Sequence, residues 1–402
     1  MPRKAIDSLF AAVVFAMAIA VVNGFARFSY ALLLPVMRQD LGWDYALSGW
    51  LNTANSVGYG LGGLLGALLA TRYKPASLFI AGLLATTLTL LLCGFTLSLQ
   101  WMLLWRFLAG VGSAWVFACG GALVTAYYRH DPAKAAAAIA VYYAGGGLGI
   151  ALGGLVLYPV LERWVGWQSG WLLLGGAAAL MMVWPIHLAW HSGRADARDA
   201  AHDAAQPTSA ATAATPVAAP VQWSRYTLFI IAYCLFGVGY IVYMTFVIAW
   251  LKNMQLGNAV ATGLWVLMGL AAIVSGRVWR GPMSRWWPTR TFAVTTLCTC
   301  VGSALPLLSP SLPMLVLSVL LVGGSFFMVP GSVMALIRST LPQSVWSKAM
   351  SLSTMVFAMG QAVGPVAAGW LADAAGLNAA MLAGAATLLL SAGLASLHKK
   401  SS

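Results

Sequence analysis

Long apolar runs recur along the whole chain, separated by short breaks that carry charged residues, proline or glycine. A run of about 18 or more apolar residues is long enough to cross a bilayer as a helix. The pattern therefore predicts twelve membrane-spanning helices. They cover residues 8–37, 45–70, 76–97, 100–127, 133–160 and 168–190, then 226–250, 258–280, 290–308, 312–337, 347–372 and 377–397.

The composition agrees with a membrane protein. Of the 402 residues, 61% are hydrophobic and 8% are charged, whereas a typical soluble domain has about 25% charged residues. The first apolar run is too long for a signal-peptide core and has no obvious cleavage site, so we expect it to remain as the first helix. The prediction is an all-α membrane protein with many passes.

A polar segment divides the predicted helices into two sets of six. Residues 192–224 are rich in Ala, Asp, Thr and Pro and have no apolar periodicity, which predicts a flexible linker. We expect residues 1–191 and 225–402 to form two six-helix halves.

The two halves resemble each other in sequence. The run YYAGGGLGIALGG at 142–154 is echoed by FAMGQAVGPVAAG at 357–369. Such a duplication predicts a pseudo-symmetric transporter with its site between the halves. Matching positions lie 213 to 215 residues apart: Gly24 and Gly237, Arg27 and Tyr240, Tyr30 and Tyr243, Gly146 and Gln361.

Lysine and arginine are distributed unevenly between the two sides. Seventeen lie on the side of the termini and linker and three (Arg38, Arg163 and Lys252) on the other, while Arg27 and Arg106 lie within helices. Cytoplasmic loops carry an excess of basic residues, so both termini are predicted to be cytoplasmic, in a bacterial inner membrane. The excess of basic residues on the cytoplasmic side accounts for the net charge of +13. We therefore expect no nucleic-acid partner.

Nothing in the sequence indicates a cofactor, a metal site or an enzyme. The five cysteines lie in apolar runs without metal-ligand spacing, so we expect small packing residues and no disulfide. The helices carry no acidic pair, histidine cluster or nucleophile with a nearby base, which are the groups that an intramembrane enzyme would need.

Two arginines lie inside predicted helices. Arg27 is about ten residues, or about 15 Å, from the outer end of the first helix. An arginine at mid-membrane costs roughly 2.5 to 3.5 kcal/mol, so Arg27 should face a cavity or a partner; a structural arginine bonded to a neighbouring helix is the alternative. Arg106 is about six residues, or about 9 Å, inside the fourth helix, where snorkelling remains an alternative.

Acidic residues are absent from the predicted membrane interior. All nine lie in loops or at helix ends, so the protein cannot expel cations through an embedded carboxylate. Two arginines without an acidic partner would instead make an anion site. His187, near the end of the sixth helix, is expected to be structural.

Other polar side chains could complete such a pocket, although interhelical hydrogen bonding and packing are open alternatives for each of them. Two asparagines lie on one helical face, three tyrosines suit an amphipathic ligand, and a glutamine replaces a glycine of the repeat. They are Asn52, Asn55, Tyr30, Tyr240, Tyr243 and Gln361.

Several motifs resemble the major facilitator superfamily over nearly the whole chain. RFLAGVGSA at 106–114 is similar to its fourth-helix motif, and GIALGG at 149–154 is similar to its antiporter motif, with Ile150 in place of proline. The loop motif between the second and third helices is degraded, with Ala70 where an aspartate is usual. Residues 24–43 and 51–63 resemble the YbfB/YjiJ-type branch.

The resemblance implies a twelve-helix fold with the first, fourth, seventh and tenth helices around a central cavity. It also implies that Arg106 takes part in proton or substrate coupling. Family resemblance does not name a substrate.

The leading hypothesis is a secondary transporter of a small or amphipathic organic anion that works by alternating access, in export rather than import. Arg27 and Arg106 would bind or gate the anion. One alternative is export of neutral or hydrophobic compounds, with the arginines as coupling or structural elements; another is a transporter-like sensor without flux. The expected partners are the substrate, the bilayer and protons as a candidate coupling ion, with a monomer as the functional unit.

Overall fold

The computed structural model describes residues 9–163, 166–192 and 223–398, so most of the predicted linker lies outside the described residues. The described part confirms the predicted all-α fold with twelve long helices. They are α1 (Phe10–Leu41), α2 (Tyr45–Leu69), α3 (Pro75–Gly94), α4 (Leu99–Tyr127), α5 (Pro132–Arg163), α6 (Trp167–Ser192), α7 (Thr227–Asn253), α8 (Asn258–Val278), α9 (Pro288–Leu308), α10 (Leu312–Thr340), α11 (Trp346–Ala375) and α12 (Leu377–Ser396).

Eleven of the helices within the described ranges are long and apolar enough to cross a membrane, and α2 is the exception. It has 25 residues but carries buried asparagines and serines. These polar residues are tolerated because α2 packs between α4 and α11. Helices α1 to α6 precede the undescribed segment and α7 to α12 follow it, and the halves meet through α2 with α11, α5 with α8 and α1 with α7.

Successive helices run in opposite directions, which defines two sides. We call the side where α1 ends and α2 begins the far side, and the side that holds residues 192 and 223 the termini side. Among the described residues, seven hydrogen bonds join the two halves, and each lies in the middle or on the far side. The halves are therefore closed against each other on the far side.

One far-side contact joins the end of α11 to the start of α2. The carboxylate of Asp373 accepts hydrogen bonds from the backbone N–H groups of Tyr45 and Ala46, at 2.8 and 2.9 Å. These groups are unpaired within α2 because they lie in its first turn. Asp44 supplies a further acceptor, to the N–H of Leu47 at 2.6 Å.

Glycines let the backbones of α1 and α5 touch. A Cβ atom added to Gly24 would lie 2.2 Å from the Cα of Gly149, and one added to Gly149 would lie 2.2 Å from the carbonyl oxygen of Ala20. In the second half, a Cβ on Gly360 of α11 would lie 2.1 Å from the carbonyl oxygen of Cys234 in α7. Close packing of this kind is typical of small residues in membrane helices.

Helices α1 and α10 are irregular near the middle of the membrane. Residues Ala20–Phe28 of α1 form a π-helix, with the N–H of Ser29 bonded to the carbonyl of Gly24 at 2.8 Å. Such segments are rare and frequent at functional sites. Helix α10 is interrupted at residues 326–327 because Pro330 has no N–H to donate to the carbonyl of Phe326.

Candidate functional site

Arg27 lies in the π-helical segment of α1, where its side chain is 5% exposed. Its Nη2 donates to the Oε1 atom of Gln361 on α11. Its Nε is buried and has no hydrogen-bond partner. The guanidinium carbon lies 5.0 Å from the ring centre of Tyr59 and 5.9 Å from that of Phe28, so aromatic faces shield the charge.

Gln361 joins the two halves through one side chain. It is fully buried, accepts from Arg27, and donates through Nε2 to the hydroxyl of Tyr240 on α7. A neutral amide therefore connects a cation of the first half to a hydroxyl of the second. Three of the eight residues expected from the sequence meet at this point.

Aromatic rings surround this point. Tyr240 stacks on Phe326 and Phe357, with ring centres 5.9 and 5.6 Å apart. Phe28 meets the edges of Phe326 and Phe327 at 6.0 and 6.2 Å. We call six side chains the aromatic cluster: Phe28, Tyr59, Tyr240, Phe326, Phe327 and Phe357.

Arg106 is more deeply enclosed than the sequence indicated. Only 1% of it is exposed, so it does not snorkel. Its Nη1 donates to the carbonyl of Ala26, its Nη2 to Oδ1 of Asn52 at 3.2 Å and its Nε to the carbonyl of Leu51 at 3.4 Å. All three nitrogens bind protein acceptors, and one of these acceptors belongs to the residue before Arg27.

The two asparagines lie between helices. Asn52 accepts from Arg106 and donates through Nδ2 to Oγ1 of Thr245 on α7, at 2.7 Å. Asn55 donates to the backbone carbonyl of Arg106 at 3.1 Å. Both hold α2 against its neighbours, as the interhelical alternative described, and a role in substrate binding stays a prediction for each.

The other two predicted tyrosines are engaged elsewhere. The hydroxyl of Tyr30 donates to the carbonyl of Ser48 at 2.7 Å, and its ring lies 5.3 Å from the guanidinium carbon of Arg106. Tyr243 shares a hydrogen bond of 2.8 Å with Ser318 of α10. Neither bonds to Arg27 or Gln361 among the described contacts, so their predicted binding role stays untested.

Sequence reasoning missed most of the aromatic cluster. Tyr59 follows Asn55 by four residues and so shares its helical face, which was an available signal. Phe326 and Phe327 precede Pro330 by four and three residues, and a break at this place brings both rings to the centre. Phe357 has no sequence signal that separates it from ordinary packing residues.

Described carboxylates lie at helix ends only. They are Asp40, Asp44, Asp131, Glu162 and Asp373. Within the described ranges, no group of three or more His, Cys, Asp or Glu could hold a metal ion. Helix α6 extends to Ser192, so His191 lies in a helix as well as His187, with ring centres 4.4 Å apart; the sequence had placed only His187 within a span.

The family assignment rests on a match over most of the chain. A model of the family described as "Uncharacterised MFS-type transporter YbfB" matches residues 17–396. The chain belongs to this family. It is therefore a multi-pass membrane transporter of the major facilitator type and not an enzyme, as the sequence predicted.

Two curated relatives match a part of the transporter. The niacin transporter NiaP of Acinetobacter baylyi is 29% identical over 151 residues, which are 37% of this chain and 33% of NiaP. The 4-hydroxybenzoate transporter PcaK of the same organism is 26% identical over 169 residues, which are 41% of this chain and 35% of PcaK. The chain thus spans about a third of the length of either relative.

A solved structure matches the transporter over its whole length. The nucleoside transporter NupG aligns with a TM-score of 0.71 and 12% identity, over 98% of this chain and 99% of NupG. At this identity the likeness shows the fold alone.

Proposed function

We propose that the transporter moves a small organic anion with an aromatic or amphipathic body across the bacterial cytoplasmic membrane by alternating access. Arg27 would bind the negative group, and the aromatic cluster would hold the apolar body. Export is the expected direction, with the termini side facing the cytoplasm and a monomer as the functional unit.

The observation that carries the proposal is the burial of Arg27 without a full set of hydrogen-bond partners. Arg27 is a buried cation with no carboxylate partner among the described residues, and one of its N–H donors is unpaired. A buried unpaired charge is costly. An anionic ligand would supply the missing partner at the junction between the halves, where alternating access requires the site to lie.

The aromatic cluster supports an anion with a flat apolar body. Rings favour offset stacked and edge-to-face contacts, and the cluster already uses both arrangements around Tyr240 and Phe28. NiaP and PcaK are named for niacin and 4-hydroxybenzoate, which are aromatic carboxylic acids. Benzoate, nicotinate and 4-hydroxybenzoate are therefore the first probes to use.

Arg106 would act by positioning Arg27. It anchors the carbonyl of Ala26 and the side chain of Asn52, and so holds the π-helical turn. The sequence analysis expected Arg27 and Arg106 to bind or gate the anion, and this proposal gives binding to Arg27 and positioning to Arg106. Since the described carboxylates all lie at helix ends, a proton would travel on the substrate or on a peripheral group such as Asp44.

The decisive experiment measures flux in proteoliposomes. Labelled benzoate, benzamide and a quaternary ammonium compound are compared for the wild type, Arg27→Ala, Arg27→Lys and the control Arg285→Ala, which removes one exposed positive charge on the termini side. We expect benzoate flux that both Arg27 variants lose and the control keeps, because lysine cannot form the planar fork. Full benzoate flux in Arg27→Ala would overturn the proposal, and reversing the gradient tests the direction.

A second candidate is transport of neutral aromatic compounds, and it is favoured by one contact. Gln361 already occupies Nη2 of Arg27, so the site also accommodates an amide oxygen. Benzamide flux without benzoate flux would support this candidate. Ligand binding without flux of any probe would support the sensor.

A further inference from the structure

Gln361 binds Nη2 of Arg27, which is one of the two nitrogens that a bidentate carboxylate would use. In arginine, the Nε and Nη2 hydrogens point in the same direction, and a carboxylate can accept both with its two oxygens. Gln361 has one carbonyl oxygen. It accepts from Nη2, and Nε stays buried without a partner.

We propose that Gln361 is an internal placeholder, which occupies the carboxylate position at Arg27 and is displaced when a monocarboxylate binds. This inference rests on the proposed function. It further specifies that the negative group of the ligand is a carboxylate and that Gln361 selects for it. The incoming group would accept from both Nε and Nη2, whereas a neutral amide would merely replace one amide oxygen by another.

The backbone of Gln361 is held firmly, so the side chain is the part that moves. Glycines on either side press α11 against α7: a Cβ on Gly360 would lie 2.1 Å from the carbonyl oxygen of Cys234, and one on Gly364 would lie 2.8 Å from that of Val238. While the two halves keep this arrangement, the amide leaves Arg27 by rotation about its own side-chain bonds, and its bond to Tyr240 breaks or lengthens with it.

This displacement makes Gln361 a selectivity residue. A ligand that binds Nη2 of Arg27 must replace the existing hydrogen bond, and a ligand with two coplanar acceptors gains the Nε bond in addition. An unsatisfied buried donor is costly, so the gain is specific to carboxylates and similar two-oxygen anions. Benzoate and benzamide share ring and size, and they differ in charge and in the number of oxygen acceptors that they offer.

Three variants test the placeholder. Gln361→Glu puts a carboxylate on the chain itself beside Nη2 of Arg27, so we expect a higher melting temperature without ligand and a loss of benzoate binding of at least about 100-fold. Gln361→Met keeps the length but removes the acceptor, so benzoate should bind about tenfold more tightly than in the wild type. Arg27→Met combined with Gln361→Glu should lose the thermal gain, because the new carboxylate is then unpaired.

The measurements are melting temperature without ligand and the dissociation constants of benzoate and benzamide, on detergent-purified protein that elutes as a single species. A lower melting temperature in Gln361→Glu, or weaker benzoate binding in Gln361→Met, would overturn the inference; Gln361 would then be a direct ligand. Failure of the proposed function is a different result, namely benzoate flux that Arg27→Ala retains, and the ligand-free melting temperatures do not depend on it.

Discussion

Asp373 provides the sharpest test of how the two halves are held together on the far side. Its carboxylate lies at the end of α11 and accepts from two N–H groups in the first turn of α2, which belongs to the other half. These bonds must break when the far side opens. Replacing Asp373 with alanine should therefore favour the state that is open on the far side.

The magnitude follows from the exposure of the contact. Asp373 is exposed on the surface, so solvent weakens its bonds, and the effect of losing a helix N-terminal acceptor is about 0.5 to 2 kcal/mol. The favourable interaction of a negative charge with the helix dipole adds about 0.3 to 1 kcal/mol. Together these effects give a loss of about 0.8 to 3 kcal/mol in the alanine variant, or roughly 4- to 160-fold in the equilibrium between the closed and open far side.

The assay measures a distance across the far side by double electron–electron resonance. Spin labels at Gln100 and Ser311, which are exposed near the far-side starts of α4 and α10, report the separation of the halves in a variant without native cysteines. Asp373→Asn keeps one acceptor oxygen and should show about half the shift. High salt should reduce the difference because it screens an exposed charge.

The matched control is Asp40→Ala. Asp40 is also on the far side and accepts from Nε1 of Trp167 at 2.8 Å, but both residues belong to the first half. Its loss should lower the melting temperature without changing the distance between the labels. If Asp373→Ala moves the distance distribution no further than Asp40→Ala does, the contact does not hold the far side closed.

Three further predictions concern packing and the site. Gly149→Ala should lower the melting temperature by several degrees because the new Cβ meets backbone on α1, whereas Gly63→Ala, with nothing within 4 Å of its Cβ, should be neutral or slightly stabilising. Arg106→Lys should reduce both stability and benzoate affinity, since a compact ammonium cannot match the planar fork that reaches the three acceptors of Arg106; unchanged affinity would rule out its positioning role. Tyr240→Phe should change the dissociation constant of benzoate, while Tyr243→Phe should cost only about 1 kcal/mol of stability, and equal effects on binding would contradict the placement of the site.

The helices were predictable because hydropathy alone defines them in a membrane. The predicted span 45–70 matches Tyr45–Leu69, and the predicted span 312–337 matches Leu312–Thr340. The π-helical segment was not predictable, because an apolar run looks the same whether its hydrogen bonds span four or five residues. The segment packs against α5, and such contact between distant parts of the chain is a tertiary property.

The sequence singled out individual residues of the candidate site, but it could not predict the hydrogen bonds between them. Arg27 was singled out by its depth, and Gln361 because it breaks the repeat. Their direct bond could not be inferred, since they are 334 residues apart. Arg106 was expected to face the same volume as Arg27, and two of its three partners are backbone carbonyls that helical periodicity gave no reason to expect at this place.

The two halves differ at two repeat positions that lie close together in the structure, and this difference makes the candidate site asymmetric. Arg27 and Tyr240 hold equivalent positions in the two halves, and Gln361 bonds to both of them. The position equivalent to Gln361 is Gly146, where an added Cβ would lie 2.7 Å from the ring of Phe327. The polar side chain of Gln361 on α11 thus faces the first half. On α5, Gly146 has no side chain and leaves room for the ring of Phe327 from the second half. A bound carboxylate should therefore point towards α1 with its ring towards α10, and it cannot bind equally well when reversed.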